Sequence, residues 1–139
     1  RGVLKSLPMN EQERIKDLLS YEILDTSPDE ELDELAEIAS AICDTPISLI
    51  TLIDQDRQWF KAIKGLDITE TRREYSFCQY ALNRPNEVLV VDDPIHDVRF
   101  KDNPFVVGEP YIRFYAGAPL KTPQGNVLGT LCVIDRYPV

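Results

Sequence analysis

The N-terminal third of the chain carries apolar residues at helical spacing. After position 10, Ile15, Leu18, Leu19 and Ile23 recur among charged side chains, which predicts an amphipathic helix that ends before Asp25. An apolar face of this width is typical of a helix that packs against another element of the fold. This part of the chain is therefore expected to cover a core rather than to form one by itself.

A second helix is predicted directly after the first. Ser27 is placed to cap it, Pro28 suits its first turn, and Glu30 stands three residues after the serine, as a capping box requires. The apolar and small residues of this helix form one stripe, which we expect to lie close against a sheet: Leu32, Leu35, Ala36, Ala39, Ile42 and Cys43. As part of that stripe, Cys43 is expected to be a core residue rather than a reactive thiol.

The middle of the chain reads as two paired strands. Residues 47–53 are rich in β-branched side chains and form a run too short for an independent helix, so we expect a central strand that is buried on both faces. After a turn, apolar and polar side chains alternate well enough along residues 58–64 to predict a second strand that pairs antiparallel with the first. Residues 66–74 are polar and are expected to form a loop.

The second half of the chain continues the sheet. A short helix is predicted from about 73 to 82, and a strand follows at 88–91. Residues 94–110 mix polar, aromatic and proline residues without a period, which predicts a loop with one helical turn. Residues 111–135 read as two strands around a turn at 122–126, where Pro123 and Gly125 supply the backbone angles of a β-turn.

This order of elements predicts an α+β domain, in which helices pack on an antiparallel sheet of five or six strands. The 139 residues suffice for one domain with one core. We expect residues 1–9 to be a leader, as a tag or a disordered segment, and residues 10–139 to be the domain. Because the chain ends directly after a strand, a closing C-terminal helix is expected to be absent.

Charge and composition narrow the partners. The net charge is −9, but residues 1–43 hold 11 acidic and 4 basic side chains, so the acidity belongs to the two helices. A nucleic-acid partner is not expected, because no basic stripe is present. No run of 18 apolar residues occurs, so we expect a cytoplasmic domain without membrane contact. The cysteines show no metal-ligand spacing and the single histidine is His96, so no metal site is expected.

Several segments of the chain, in this order and spacing, form a recognisable set: RREYSFCQYAL at 72–82, VLVVDD at 88–93, DVRFKDNPFV at 97–106, and IRFYAGAPL with GNVLGTLCVID in the last 30 residues. Together they resemble the GAF sensor domains found upstream of bacterial histidine kinases and diguanylate cyclases. The resemblance implies N-terminal helices on one face of the sheet and a ligand pocket on the other. The pocket would lie under the 73–82 helix and the 94–109 loop, with residues 59–63 and 111–115 as its floor.

The same resemblance implies a sensory input domain in signal transduction. Ligand binding would change the conformation of a C-terminal output domain in the full-length protein, and the helix at 11–24 would pair with its copy in a homodimer. Some family members bind cyclic nucleotides, a bilin or haem. The chain matches the cyclic-nucleotide signature only in pieces, has no Cys-His pair for a bilin, and offers only His96 to haem. The sequence therefore leaves the ligand or cofactor unidentified.

Aromatic and polar residues of the middle third are the candidates for the ligand site. Aromatic walls supply affinity and a few polar groups fix orientation, while the arginines favour a ligand with a carboxylate or phosphate. The alternatives are that the rings are plain core, that the arginines pair with nearby acids, and that the aspartate caps a turn. The predicted site residues are Phe60, Arg73, Ser76, Phe77, Cys78, Asp92, Arg99, Phe100, Arg113, Phe114 and Tyr115.

Two other functions remain open. The domain could be a ligand-free dimerisation or spacer module, whose pocket is filled by its own side chains. It could also be a thiol-dependent reductase of free methionine sulfoxide, as one group of proteins with this fold is, with Cys78 as the nucleophile. Against that activity, Cys132 lies within a strand and Cys43 on the helix stripe, so no resolving thiol is evident. We therefore expect a domain that is not an enzyme.

Overall fold

A six-stranded antiparallel sheet forms the centre of the computed structural model, which describes residues 10–138. Its strands are β1 (Ile47–Ile53), β2 (Arg57–Lys64), β3 (Glu70–Arg72), β4 (Leu89–Val91), β5 (Phe114–Lys121) and β6 (Val127–Asp135). They lie in the order β3-β2-β1-β6-β5-β4. The predicted α+β fold with an antiparallel sheet is confirmed. The predicted leader at residues 1–9 lies outside the described residues.

The strand β1 is central, as its apolar run predicted. All seven of its residues are buried, and it pairs with β2 on one side and β6 on the other. The register between β1 and β2 shifts between Ile50 and Thr51, as at a β-bulge. The short strand β3 lies in the segment predicted to be a polar loop. Its three residues face mostly solvent, so no apolar alternation marked it in the sequence.

The C-terminal hairpin is also confirmed. The strands β5 and β6 pair over most of their length, and the turn between them is closed by hydrogen bonds between Thr122 and Asn126. Gly125 has φ of +89° in this turn, a value that glycine adopts without strain. The strand predicted at 88–91 is present as β4 and pairs with β5 at the edge of the sheet.

Two regular helices cover one face of the sheet. They are α1 (Glu11–Ser20), which ends before the predicted boundary at Asp25, and α2 (Glu30–Cys43). Leu18 of α1 packs with Trp59 of β2 in one cluster, and Ala36 of α2 packs with β1 and β2 in another. In residues 10–138, no helix is long and apolar enough to cross a lipid bilayer.

The cap predicted for α2 is wrong. Asp29 caps the helix, because its carboxylate accepts hydrogen bonds from the backbone N–H groups of Glu31 and Leu32, at 3.0 and 3.2 Å. Ser27 lies before the cap, where its carbonyl oxygen accepts a hydrogen bond from Lys61 Nζ. The helix therefore begins two residues later than a Ser27 cap would place it.

The predicted stripe of α2 is partly wrong as well. Its buried residues are Ala36 and Ser40, whereas Leu35 and Ile42 are exposed, Ile42 by 79%. Cys43, which was predicted to be in the core, is also exposed. The helix approaches the sheet through its small residues, so the contact is narrower than the run of apolar positions.

The other face of the sheet is covered by short turns. In place of the helix predicted at 73–82 there are two 3₁₀ turns, Arg73–Tyr75 and Cys78–Ala81, separated by the extended backbone of Ser76. The segment 94–110, predicted to be a loop with one helical turn, contains a 3₁₀ turn at Pro94–His96 and the short helix α3 (Pro104–Val107). The largest core cluster of the described residues lies between these turns and the sheet.

Candidate functional site

A small cavity lies within this core, between the sheet and the short turns. Its volume is about 40 Å³, which is room for roughly three water molecules. The lining is mostly apolar and combines residues of the sheet with residues of the covering loops. They are Leu49, Gln58, Phe60, Leu66, Ile68, Thr71, Tyr75, Phe77, Cys78, Phe105, Pro110, Ile112, Tyr115, Cys132 and Ile134. We call this space the inner cavity.

A second, larger depression adjoins the inner cavity on the outside. This outer cleft measures about 480 Å³ and is lined by residues 65–68, 105, 109, 110 and 136. Leu66, Ile68, Phe105 and Pro110 line both spaces, so these four side chains form the partition between them. Leu66 and Phe105 are half-buried; Leu66 lies on the segment after β2 and Phe105 on the short helix α3. The outer cleft alone is in the range of about 300–1,000 Å³ typical of small-molecule sites.

Polar groups converge on one sulfur atom at the wall of the inner cavity. Cys78 Sγ lies 3.0 Å from the Tyr115 hydroxyl oxygen, and Thr130 donates a hydrogen bond to it at 3.1 Å. The Thr51 hydroxyl hydrogen-bonds to the Thr130 hydroxyl at 3.2 Å, and Cys132 lines the inner cavity together with Cys78. All five residues are buried. We call them the thiol cluster.

The thiol cluster changes the acidity of its cysteines. Burial by itself would raise the pKa of Cys78, but the hydrogen bonds from Cys132, Thr130, Thr51 and Tyr115 outweigh it and lower the pKa to about 7. The pKa of Cys132 is raised well above its ordinary value, first by its hydrogen bond to Cys78 and then by burial. The pair therefore loses one proton near neutrality and retains the other.

A glycine makes room for the tyrosine of this cluster. Tyr115 and Gly117 face the same side of β5, and a Cβ atom at position 117 would overlap the Tyr115 hydroxyl. Gly117 pairs with Cys132 on the neighbouring strand β6. The tyrosine ring can therefore lie over the sheet and bring its hydroxyl to Cys78 only because position 117 carries no side chain.

Stacked aromatic rings cover the inner cavity. The rings of Phe77 and Phe100 stack with centroids 4.0 Å apart, and Tyr80 meets Phe100 edge-on at 5.1 Å. The Arg99 guanidinium lies over the Phe100 ring, 4.9 Å from its centroid. These contacts hold the Cys78–Ala81 turn and the loop after Pro94 together as one layer.

The structure brings four of the predicted site residues to the inner cavity: Phe60, Phe77, Cys78 and Tyr115. Two more are buried close to it, since Phe100 packs behind Phe77 and the Ser76 hydroxyl accepts a hydrogen bond from the backbone of Gln79. Asp92 is exposed, and Phe114 is half-buried at the start of β5. Neither Asp92 nor Phe114 lines the cavity. The role of all these residues in ligand binding stays a prediction.

The three predicted arginines bind protein groups away from the cavity wall. Arg73 donates to the Glu11 carboxylate at 2.6 Å. Arg99 pairs with Asp97 at 2.8 Å, and Arg113 donates to the backbone carbonyls of residues 106 and 112. The alternative reading of these residues as partners of acids fits Arg73 and Arg99. An anionic ligand in the inner cavity would therefore meet none of them directly.

Sequence reasoning missed the other walls of the cavity. Leu49, Cys132 and Ile134 lie on the strands β1 and β6, and their alternation along each strand was a signal that they share a face with one another. Leu66 lies in a loop and Phe105 in the four-residue helix α3, and no periodicity predicts the position of either segment. Between residues 10 and 138, no group of three or more His, Cys, Asp or Glu side chains could hold a metal ion.

Comparisons with known proteins agree with this architecture. The family model for the GAF domain matches residues 27–139. A cyclic di-GMP phosphodiesterase of Pseudomonas aeruginosa is 52% identical over 116 residues, which are 84% of this chain and 20% of that protein. The chain thus spans about a fifth of the length of this curated relative.

Solved structures resemble the fold at low sequence identity. The GAF domain of an Acinetobacter phosphoenolpyruvate-protein phosphotransferase has a TM-score of 0.62 and 16% identity, over 92% of this chain and 78% of that one. A type II free methionine-R-sulfoxide reductase of Thermoplasma acidophilum has a TM-score of 0.61 and 12% identity, over 78% and 74%. GAF domains are typically sensory and regulatory domains. The family model and the shared sheet together identify the chain as a member of the GAF domain family.

Proposed function

We propose that this chain is the sensory input domain of a longer cyclic-di-GMP signalling protein, and that it binds a small molecule where the inner cavity meets the outer cleft. The observation that carries the proposal is the thin partition between the two spaces, Leu66, Ile68, Phe105 and Pro110. Rotation of half-buried side chains such as Leu66 and Phe105 would join the spaces without breaking any strand. The 52% identity to a cyclic di-GMP phosphodiesterase supports the signalling context.

The chemistry of the two spaces suggests a ligand with two ends. The inner cavity offers apolar walls and the thiol cluster, which suits a small apolar group with a hydrogen-bonding atom. The outer cleft adds Arg136 and Glu109. A ligand that reaches from one to the other would place its charged end in the cleft. In this way the domain would accept an anionic group through Arg136, rather than through the arginines predicted from the sequence.

A hydrogen-bonded path leads from the cavity cover to the first helix. Arg73, in the turn just before Cys78, donates to the Glu11 carboxylate and to the backbone carbonyl of Asp54. Glu11 also accepts hydrogen bonds from Arg14 of its own helix. Movement of the covering turn on ligand binding would thus shift α1 relative to the sheet, and α1 would pass the change to the rest of the protein.

Mass spectrometry of gently purified protein tests ligand binding. We expect the natural chain to retain a small molecule that a Leu49→Phe variant does not, because the larger side chain fills the inner cavity. Addition of the identified molecule should raise the melting temperature of the natural chain only. Val98→Phe is the matched control, since Val98 is 84% exposed and lies outside the cavity. If neither chain retains or responds to any molecule, the sensory proposal fails.

A ligand-free dimerisation module is the second candidate. The observation in its favour is the exposed apolar strip of α2, where Leu35, Ile38 and Ile42 lie on one side of the helix with exposures of 44%, 53% and 79%. A pairing surface would thus lie on α2 rather than on the helix at 11–24. Light scattering of the natural chain and of Ile38→Glu tests this candidate. A concentration-dependent dimer that the substitution abolishes would support it, and a monomer in both chains would exclude it.

A methionine sulfoxide reductase activity has gained one supporting observation. Cys132 lines the inner cavity together with Cys78, so a candidate resolving thiol is available, contrary to the expectation from the sequence. The inner cavity of about 40 Å³ is nevertheless too small for a substrate with the size of methionine sulfoxide. Turnover of free methionine sulfoxide with a thiol reductant, lost in Cys78→Ser, would establish this function. We expect no turnover.

A further inference from the structure

We propose that Cys78 and Cys132 form a peroxide-sensitive dithiol pair that closes to an internal disulfide at the wall of the inner cavity. The two thiols come from distant parts of the chain, one from the turn that covers the cavity and one from β6. Both side chains line the inner cavity, and Thr130, which hydrogen-bonds to Cys78, lies two residues before Cys132 and so faces the same side of β6. The proposal deepens the sensory function by naming the class of signal, and it rests on that function only for its regulatory consequence.

The surroundings of Cys78 suit a nucleophilic sulfur. Thr130 donates to Sγ at 3.1 Å, and the Tyr115 hydroxyl lies 3.0 Å from it. Two hydroxyl groups thus lie within hydrogen-bonding distance of one sulfur, an arrangement that stabilises a thiolate better than a thiol. A buried cysteine that served only as a space-filling residue would need none of them.

The reaction proceeds in two balanced steps. The Cys78 thiolate attacks one oxygen of the peroxide, the O–O bond breaks, and the other oxygen leaves as water or an alcohol after taking up a proton, so that Cys78 carries a sulfenic acid. The Cys132 thiol then gives up its proton and attacks the Cys78 sulfur. The S–S bond forms, the S–O bond breaks, and water leaves. In total two thiols are oxidised and one peroxide is reduced.

The cavity sets the size of the oxidant. A volume of about 40 Å³ accepts hydrogen peroxide, which has two heavy atoms, whereas an aromatic hydroperoxide does not fit. Closure to a disulfide would shorten the sulfur–sulfur distance to about 2.05 Å, which draws the Cys78–Ala81 turn toward β6. Since Arg73 in the preceding turn is bonded to Glu11 of α1, the same movement would reach the first helix.

Intact-mass spectrometry of the 139-residue chain, treated with hydrogen peroxide and then alkylated, tests the proposal directly. We expect the loss of two alkylatable thiols within one chain and their return on addition of dithiothreitol. The same result is expected for Cys43→Ser, which removes the exposed third cysteine and with it any bond between chains. Cumene hydroperoxide should react more slowly by about tenfold or more, because its ring exceeds the cavity.

A pair of variants separates the chemistry from mere packing. In the Cys43→Ser background, Thr130→Val removes a donor to Cys78 at nearly constant shape and should slow oxidation at pH 7 by about two- to fivefold, as a rise of half to one pKa unit would. Thr130→Ser retains the hydroxyl and should restore the rate. A circular dichroism spectrum verifies that both variants are folded.

Three results would overturn the proposal: both buried thiols stay alkylatable, the only bond formed joins Cys43 of two chains, or Thr130→Val reacts as fast as Thr130→Ser. None of these touches the proposed function. A metabolite retained by the natural chain and lost in Leu49→Phe would leave the sensory function intact while the redox pair fails.

Discussion

The two faces of the sheet are covered in different ways. On one face, which we call the helical face, lie the regular helices α1 and α2, and their contacts with β1 and β2 follow helical periodicity. On the other face, which we call the loop face, lie three 3₁₀ turns and the one-turn helix α3, joined by loops. Both faces bury apolar side chains, yet the inner cavity and the thiol cluster belong to the second. Irregular backbone can leave a space and aim polar groups into it, whereas repeated helical contacts fill the surface.

Buried polar groups show the same contrast. On the helical face, the Arg14 side chain is 1% exposed and is held by the Glu11 carboxylate and by the carbonyl of Val127. On the loop face, hydroxyls and thiols of the thiol cluster bond to one another. Within the described residues, every buried side-chain nitrogen and oxygen has a hydrogen-bond partner. The polar groups on the helical face fasten elements together, and those on the loop face surround a reactive atom.

The largest expected effect tests whether the loop face is packed as firmly as the helical face. Phe100→Ala should lower the free energy of unfolding by about 3–5 kcal/mol, because the ring is buried and stacks on Phe77. Leu18→Ala on the helical face should cost about 2–5 kcal/mol, and Val98→Ala, at an exposed position, less than about 0.5 kcal/mol. Urea denaturation measures all three. A cost below about 1 kcal/mol for Phe100→Ala would mean that the covering turns are loosely attached.

The next effect concerns the fastening on the helical face. Arg14→Met should lower the free energy of unfolding by about 2 kcal/mol, because the Val127 carbonyl loses its donor and Glu11 keeps only Arg73. The matched control is Arg84→Met, which removes an exposed pair with Glu87 and should cost less than about 0.5 kcal/mol. Equal costs in urea denaturation would contradict this role of Arg14.

The thiol cluster on the loop face should make the stability of the fold depend on pH. Since the pKa of Cys78 is lowered to about 7, the folded chain loses this proton before the unfolded chain does, and stability should rise from about pH 7 to 9. Above pH 9 the unfolded chain ionises Cys132 while the folded chain keeps that proton, so stability should fall again. We expect the free energy of unfolding, measured by thermal or urea denaturation under reducing conditions, to rise by about 1 kcal/mol. Cys78→Ala should lack it, and a rise that persists in this variant must come from other groups.

The smallest effect distinguishes the two candidate caps of α2. Asp29→Ala should cost about 0.5–1 kcal/mol of unfolding free energy, because two backbone N–H groups lose their acceptor. Ser27→Ala should change it by less than about 0.5 kcal/mol, since only the Ser27 carbonyl is used. The reverse order in urea denaturation would return the cap to Ser27.

The helices and strands could be predicted from the sequence wherever the signal is local. The β-branched run of β1 and the turn of the last hairpin are examples. Predictions were wrong where a contact with a distant element determines the exposure of a residue or the presence of a strand. The exposure of Cys43 depends on how α2 rotates against the sheet, and β3 exists only because three polar residues pair with β2. Neither the rotation nor the pairing leaves a periodic pattern in the chain.

The candidate site follows the same rule. Phe77, Cys78 and Tyr115 were predicted because aromatic and polar side chains concentrate between residues 75 and 115. The partner of Arg73 could not be predicted, because Glu11 lies 62 residues earlier. The position of Cys78 and Cys132 in one cavity wall was missed for a similar reason: the strand position of Cys132 was evident, but the turn that covers it was not.

The missing side chain at position 117 gives the protein an indirect control over its sulfur chemistry. An alanine there would push the Tyr115 ring aside while leaving every cysteine and threonine in place. The acidity of Cys78 would then change without any substitution among the groups that bond to it. Related chains that differ in little more than this one methyl group would be expected to differ in how readily they are oxidised.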